Sequence, residues 1–388
     1  MFSINRLQEL MKPVPRGTVD TLARQCAADK HSKGFRTWDQ LVMMVYGHLA
    51  GAHSLRTLDA GFNRNASHHY HLGTRAVRRS TLADANGKRS PAVFEAIAER
   101  LMAQVGRSIR REGREFLQLL DSTTITLKGR YYGWTAGTRT RCGEGVKLHL
   151  TWDAHTAAPV RQAITATNVN DRDVAVQWPI QEGVTYVFDK GYCDYTWWHR
   201  ITQKGARFVT RFKINAALDV AKSRRIPKAD RATILSDEIV TFQHKHARGG
   251  RPATPEQTLR RITVARKDDA PLVLATNDLK RPAAQIAQLY RARWGIELFF
   301  KWMKQHLKIK RFLGHSPNAV RIQILCALIA YLLLALYRTA QGLTDSLWII
   351  LAGLSQSLFQ RPQTQAAAYR RRCERLADIA ARQGVLNV

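Results

Sequence analysis

The sequence predicts an α/β chain: a sheet-bearing middle, preceded by an all-helical segment and followed by further helices. Three observations carry that expectation. Apolar residues recur at helical spacing through residues 1–110, short β-like runs replace them near residue 114, and the helical pattern returns from residue 282. The domains expected are therefore a helical leader (1–110), an α/β core (111–310) and a C-terminal helical region (311–388).

In the leader, RTWDQLVMMVYGHLAG offers Thr37 as a helix N-cap with Gln40 three residues on, and Gly51 as the stop. SPAVFEAIAERLMAQVGR repeats the pattern, with Pro91 near the first turn and Gly106 at the end. Between them, LGTRAVRRSTLADANGKR surrounds Ser80 and Thr81 with basic residues. Short helices, tight turns and exposed arginines suit a helical DNA-binding module; composition alone is equally compatible with a packing domain that has a basic surface.

The core begins with three strand-like runs, EFLQLLDSTTITL, GVKLHLTWDA and APVRQAITATNV, separated by Gly, Pro and Asp. They predict an antiparallel meander. DRDVAVQWPI reads as a short helix, GVTYVFDKGY as a strand running into a turn, DYTWWHRITQKG as a helix and ARFVTRFKI as a strand. Residues 213–281 interrupt this alternation. Loop-like KSRRIPKADR and HARGGRPATPEQ lie there among the strand-like EIVTFQHK, LRRITVAR and PLVLATND, which predicts a β-rich insertion. PAAQIAQLYRARWGIELFFKWMKQHL then reads as one long helix with Pro282 close to its first turn.

Charge narrows the function. Among 388 residues, 61 are Lys or Arg and 30 are Asp or Glu, a formal net charge of +31. The natural partner of so basic a protein is a polyanion, not a small metabolite. The excess is spread out, with 19 basic and 10 acidic side chains in residues 1–115 and 11 and 3 in residues 307–388. That distribution fits a broad nucleic-acid surface better than a basic tail. The five cysteines are scattered with no C-x-x-C pair, so neither a zinc site nor a disulfide framework is expected. The apolar run at residues 322–337, IQILCALIAYLLLALY, has 16 residues, contains Gln323 and is flanked by Arg321 and Arg338. A membrane span needs about 20 apolar residues, so a buried core helix is expected. With no signal-peptide pattern in MFSINRLQELMKPVPR, the expected location is cytoplasmic and nucleoid-associated, without a membrane partner.

Three carboxylates stand out by position. Asp121 ends the run FLQLL, and Asp189 ends TYVF before Lys-Gly-Tyr. A carboxylate at the end of a buried strand is costly without a partner, and a bound cation is a good one. The third, Glu297, lies on the long helix. At about 100° per residue, with Tyr290 at zero, Arg293 falls near −60°, Glu297 near −20° and Lys304 near −40°. Leu289, Ile296, Phe300, Met303 and Leu307 form an apolar stripe beside that row. An i,i+4 pair between Arg293 and Glu297 accounts for two of the four and leaves Tyr290 and Lys304 unexplained.

The spacing Y-x2-R-x3-E-x6-K, filled by Tyr290, Arg293, Glu297 and Lys304, resembles the signature of DDE transposases of the insertion sequence four family. Asp121 in LLDSTT and Asp189 in VFDKGY match that family's two other acidic motifs. The segments HSKGFRTWDQLV, RSTLADAN and KIKRFLGHSPNAVRIQILCALIAYLLL are also similar to one of its branches. The resemblance implies a ribonuclease-H-like catalytic core with a β-strand insertion before the Glu helix.

It also implies cut-and-paste transposition. Asp121, Asp189 and Glu297 would be catalytic and hold two Mg²⁺ ions, for which Mn²⁺ can substitute. In-line phosphodiester cleavage needs an activated oxygen nucleophile and charge relief on the leaving oxygen, and hard cations held by carboxylates supply both. The partners implied are double-stranded DNA, as terminal inverted repeats and target, and a second copy in a synaptic homodimer.

Arg293 and Lys304 would hold phosphates, and Tyr290 would donate a hydrogen bond to one. Trp294 offers either a stacking face for a displaced base or a packed helix edge. The insertion has no Trp, so any stacking there falls to Phe208, Phe212 or Phe242. In the leader, Arg75, Arg78, Arg79, Lys88 and Arg89 are the expected DNA contacts. His68, His69 and His71 in ASHHYHLG lack a nearby carboxylate or Cys, and Asp153, Asp171 and Asp173 read as turn formers. A DNA-binding protein that has lost catalysis, and a nuclease that cuts without joining, are the alternative functions.

Overall fold

The computed structural model describes residues 4–30, 32–111, 116–135, 140, 143–243, 256–267, 269–307, 309 and 311–361. The N-terminal helices are α1 (Arg6–Met11), α2 (Arg16–Gln25), α3 (Thr37–Leu49), α4 (Leu55–Asn63), α5 (Arg79–Lys88) and α6 (Ala92–Arg111). Every residue of α3 is buried, which its unbroken apolar run LVMMVYGHL requires. Thr37 is its first helical residue and not its cap. The Thr37 N–H and hydroxyl both donate to Asp29 Oδ1, at 2.8 and 2.9 Å, while Asp39 accepts from the Arg36 N–H at 2.9 Å. Gly51, at φ +68°, makes the left-handed turn that closes this helix. Gly106 does not end α6, which runs on to Arg111.

The sheet begins with β1 (Leu117–Thr126), β2 (Gly145–Asp153) and β3 (Ala158–Ala166), an antiparallel meander. After the short helix α7 (Asp171–Ala175), β4 (Thr185–Phe188) and β5 (Arg207–Arg211) join in parallel, with α8 (Tyr195–Gln203) between them. The order β3-β2-β1-β4-β5 is the ribonuclease-H-like arrangement.

The insertion strands extend that same sheet. They are β6 (Leu218–Ser223), β7 (Ile234–Phe242), β8 (Thr258–Val264) and β9 (Leu272–Thr276). β9 pairs antiparallel with β5, covering what would be a free edge, and the full order is β3-β2-β1-β4-β5-β9-β8-β7-β6. Within the insertion, Arg260 is almost wholly buried and makes two 2.7 Å bonds to Asp237, a closed pair that lets the charge sit inside the sheet layer.

The predicted long helix is two, α9 (Ala283–Ala292) and α10 (Trp294–His306). The break is a turn at Arg293, where the Arg293 N–H bonds to Tyr290 O and the Ile296 N–H to Arg293 O, both three residues back at 3.2 Å. Next come α11 (Pro317–Ala340) and α12 (Leu347–Ser355). α11 is long and apolar enough to cross a membrane, yet 89% of its most apolar stretch is buried inside the fold. Gln323 within it accepts from the Leu313 N–H at 2.8 Å and donates to Arg311 O at 2.9 Å, fastening the preceding loop.

One apolar core joins α1–α6, α9–α12 and one face of the sheet, with Leu119 and Val187 among its members. The opposite face carries a second core around Leu120, Phe188, Trp197, Trp198 and Phe208, covered by α8. Leu119 and Leu120 lie on opposite faces of β1, as strand alternation demands. Asp121 therefore shares the face of Leu119, toward α10.

Candidate active site

β1 and β4 are paired in parallel from Leu117↔Thr185 to Leu120↔Phe188. One step further each strand leads into an acid, Asp121 within β1 and Asp189 directly after β4, so the register brings the two side by side. The Asp189 side chain accepts the Gly191 N–H at 2.7 Å. A Cβ on Gly191 would lie 2.8 Å from that carboxylate oxygen, so the turn after Asp189 needs glycine for space.

Glu297 stands in the first turn of α10. Its Oε1 lies 2.6 Å from Arg293 Nη1, and the same nitrogen is 3.8 Å from Asp121 Oδ2. Arg293 thus sits between the two carboxylates. Burial works against its charge, but Tyr290, Glu297 and Asp121 outweigh that and keep it protonated.

Asp121 is perturbed by its surroundings. Burial pushes its carboxyl up to about 6, with Asp189 and Glu297 adding to the rise; the Ser122 N–H, at 2.8 Å, and Arg293 oppose it. Such a group gains from a cation. Among the described residues no group of three or more His, Cys, Asp or Glu side chains is placed to hold a metal ion, and Arg293 lies between Glu297 and Asp121. The donor set is nonetheless all carboxylate oxygen around a half-buried acid, which fits hard divalent cations and not zinc-type sites.

The remaining signature residues divide. Tyr290 is buried, its ring lies 5.8 Å from the Arg293 guanidinium carbon, and its hydroxyl shares a hydrogen bond with Arg293. Trp294 is 58% exposed, so the packed-edge alternative does not hold. Lys304 Nζ donates to Thr123 Oγ1 at 2.5 Å, tying α10 to β1 two residues beyond Asp121.

In the leader, Arg75, Arg78, Arg79 and Lys88 are exposed. Arg89 is not: only 6% of its side chain is accessible. It donates to Asp29 Oδ1 at 3.1 Å, to the Ala28 and Phe35 carbonyls at 3.1 and 3.0 Å, and to Gln40. Its expected DNA contact is corrected to an internal latch.

A polar group on the other face of β1 escaped the sequence reading. Lys147 and His149 of β2 lie 2.9 and 3.5 Å from Asp171, which had read as a turn former. Tyr192, buried in the turn after Asp189, shares a side-chain hydrogen bond with Ser122 and feels Asp171, Asp121 and Asp189. The period-two K-x-H pattern of β2 was the available signal. Asp153 does form a turn, accepting from the His155 and Thr156 N–H groups at 3.0 and 2.8 Å. His69 is buried and stacks on Phe62 at 4.2 Å.

The model of the family described as "Transposase DDE domain" matches residues 115–333, from the start of the sheet into α11. A second model, a domain of unknown function (DUF4372), matches residues 5–75. The chain is 44% identical over 283 residues to a protein of Sinorhizobium fredii named as the transposase y4zB, covering 72% of this chain and 77% of that one. It is 28% identical over 254 residues to a Geobacillus stearothermophilus protein named as a transposase of insertion sequence element IS5377, covering 64% and 65%. A Synechocystis protein named for element IS4SA is 26% identical over 66% of this chain and 71% of its own. Among solved structures, a piggyBac transposase synaptic complex with hairpin DNA aligns over 92% of this chain and 80% of that one, at a TM-score of 0.45 and 12% identity. All three carboxylates lie within the span matched by the transposase model, and that span is more than half of the molecule; the chain belongs to the DDE transposases, enzymes that cleave and join DNA and typically use divalent metal ions.

Proposed function

We propose that this transposase works by cut and paste: it binds the terminal inverted repeats of its element, cleaves them and joins them to target DNA. The observation that carries the reading is the parallel register that sets Asp121 beside Asp189, with Glu297 reached through Arg293. Asp121, Asp189 and Glu297 would hold two Mg²⁺ ions. When bound, such ions lower the pKa of an attacking water and relieve charge on the leaving oxygen.

The chain's own groups do the rest. Arg293 presents a fork suited to a phosphate, and its support by Tyr290 holds it in place. Lys304 supplies a point charge farther along α10. Trp294 presents an exposed ring one residue from Arg293, where a base turned out of the duplex would stack. One acidic set can cut both strands if the first free 3′-hydroxyl attacks the opposite strand, leaving a hairpin that water reopens. The reading includes a homodimer on paired ends. It is supported by Trp348 and Ile349 of α12, which are 49% and 56% exposed; the basic segment YRRRCERLADIAARQG lies outside the described residues. The enzyme would act in the cytoplasm, on the nucleoid.

The test uses full-length protein, duplexes carrying the inverted repeats that flank the gene, and Mg²⁺. Cleaved ends and strand-transfer products are expected from the wild type. Asp121→Ala, Asp189→Ala and Glu297→Ala should each abolish both products while keeping end binding. Cleavage by Asp121→Ala, or by wild type in excess EDTA, would overturn the reading.

A further inference from the structure

A half-open cavity of about 470 Å³ lies between α2, α3 and the loops before α3 and α5, far in sequence from the three acids. Four of its lining side chains are cations, Arg16, Lys33, Arg36 and Arg75, and one is a carboxylate, Asp39. Asp39 offsets only one of those four charges. Its two oxygens are taken by the Arg36 N–H at 2.9 Å and the Thr74 hydroxyl at 2.7 Å. Among the described residues, Lys33, Arg36 and Arg75 have no carboxylate within ion-pair distance, and Arg16 has Asp20 at 3.7 Å.

The walls are built to hold these cations close together. Arg16 donates to Gly73 O at 2.8 Å, and Arg75 donates to Gly34 O. A Cβ would lie 2.8 Å from Arg16 Nη1 at Gly73 and 2.9 Å from Arg75 Nη2 at Gly34. Both glycines therefore let a guanidinium rest on the backbone while its other N–H groups remain available. The segment carrying Lys33 and Arg36 is pinned by buried Arg89 through Asp29 and the Phe35 carbonyl. Four like charges gathered around a preformed space repel one another, and an anion there relieves that repulsion.

We propose that this cavity seats a phosphodiester group of the DNA backbone, a reading that rests on the transposase function above and adds a site to it. The ligand is a polyanion and not a free phosphate, because the cationic lining does not stop at one cavity. Arg36 also lines an adjoining cavity of about 730 Å³ with Arg24 and Lys30 and with the carboxylates Asp20 and Asp29, of which Asp20 faces Arg16 and Asp29 is held by Arg89. A strand laid across the two would set successive phosphates against successive cations. Such contacts fix register on the duplex without reading bases.

The test is an anisotropy titration of full-length protein over a chloride series. The probes are a duplex carrying the flanking inverted repeat and a scrambled duplex of equal length. Lys33→Gln/Arg36→Gln/Arg75→Gln should weaken binding to both duplexes at least about tenfold near 0.1 M salt. It should also lower the slope of log affinity against log salt by roughly two to three. Should that triple variant fail to fold, Lys33→Gln alone, at an exposed side chain, should lower the slope by about one. Wild-type affinity and slope in a folded variant would overturn the site. So would displacement of DNA by millimolar inorganic phosphate beyond the effect of chloride at equal ionic strength, which would mark a free-anion seat. Cleavage is not read here, so failure of the catalytic reading and failure of this site are separate results.

Discussion

Arg293 Nη1 lies 2.6 Å from Glu297 Oε1, one helical turn away, and the same guanidinium faces Asp121 at 3.8 Å. An internal cation thus lies against two of the three carboxylates proposed to hold metal.

Arg293 and divalent ions should therefore compete. In Arg293→Ala, Mn²⁺ should half-saturate the protein at a severalfold lower concentration, because two carboxylates lose their countercharge. Cleavage should nevertheless slow by at least about tenfold, since a phosphate-binding fork is gone. Electron paramagnetic resonance of free Mn²⁺ gives the first quantity and a single-turnover cleavage assay the second. Weaker Mn²⁺ binding in the variant would show that Arg293 organises the site and does not block it.

Arg89 should behave as a fold residue. Its guanidinium is buried and bonded to Asp29, and removing one partner of such a pair costs about 3–5 kcal/mol. Arg89→Ala should lower the denaturant midpoint accordingly, whereas Arg79→Ala, at an exposed position, should leave it within about 0.5 kcal/mol. Equal midpoints for Arg89→Ala and wild type would contradict the latch.

These two arginines also mark what the sequence could reveal. The acids were legible because each ends an apolar run or lies on a periodic helix, and such signals are local. The antiparallel meander was legible for the same reason. Arg89 was not, because its partners Asp29 and Gln40 lie 60 and 49 residues away, and composition does not separate a buried cation from an exposed one. The junction of the insertion with the central sheet depends on β5 pairing with β9 across more than 60 residues, which no window of sequence contains. The break at Arg293 left no Pro to announce it, and a spacing counted along the sequence is the same whether the helix is one or two.

His48 predicts an acid-labile fold. It is buried between the carbonyls of Leu307 and Gln323, and burial pulls it down from 6.5 to about 4 although both carbonyls favour its charged form. Between those values the unfolded chain binds a proton that the folded chain refuses. Stability should be fully present above about pH 6.5 and decline as pH falls toward 4, by at most on the order of 3 kcal/mol from this group. Urea midpoints at pH 7.5 and 4.5 should differ less in His48→Gln than in wild type. Equal differences would mean that His48 titrates alike in both states.

Ile349 tests the proposed dimer. It is 56% exposed on α12, beside Trp348, and contributes little to the core. Ile349→Asp should lose paired-end complexes on native gels before single-end binding, with the thermal midpoint nearly unchanged. Loss of both complexes together would assign α12 to DNA contact and not to pairing.

Trp294 bears on how the second strand is cut. The hairpin route needs a sharply bent DNA end, relieved by turning a base out of the stack at a cost of a few kcal/mol. An aromatic face near the acids would offset part of that cost. The phenylalanines that the insertion region could offer are occupied: Phe208 and Phe212 are buried, and Phe242 packs on Tyr195 at 4.2 Å. Trp294 is exposed and next in sequence to Arg293, which faces Asp121 and Glu297. A denaturing gel should therefore resolve a hairpin between the first nick and the double-strand break. Trp294→Ala should slow its formation or opening about tenfold or more, while the first nick slows much less, because nicking precedes the base flip. Trp294→Phe should recover part of the loss, since the stacking face is restored without the indole N–H. Double-strand breaks with no hairpin at any time point would rule out the route and leave the carboxylate assignment untouched. Equal slowing of nick and hairpin would instead make Trp294 a general DNA contact.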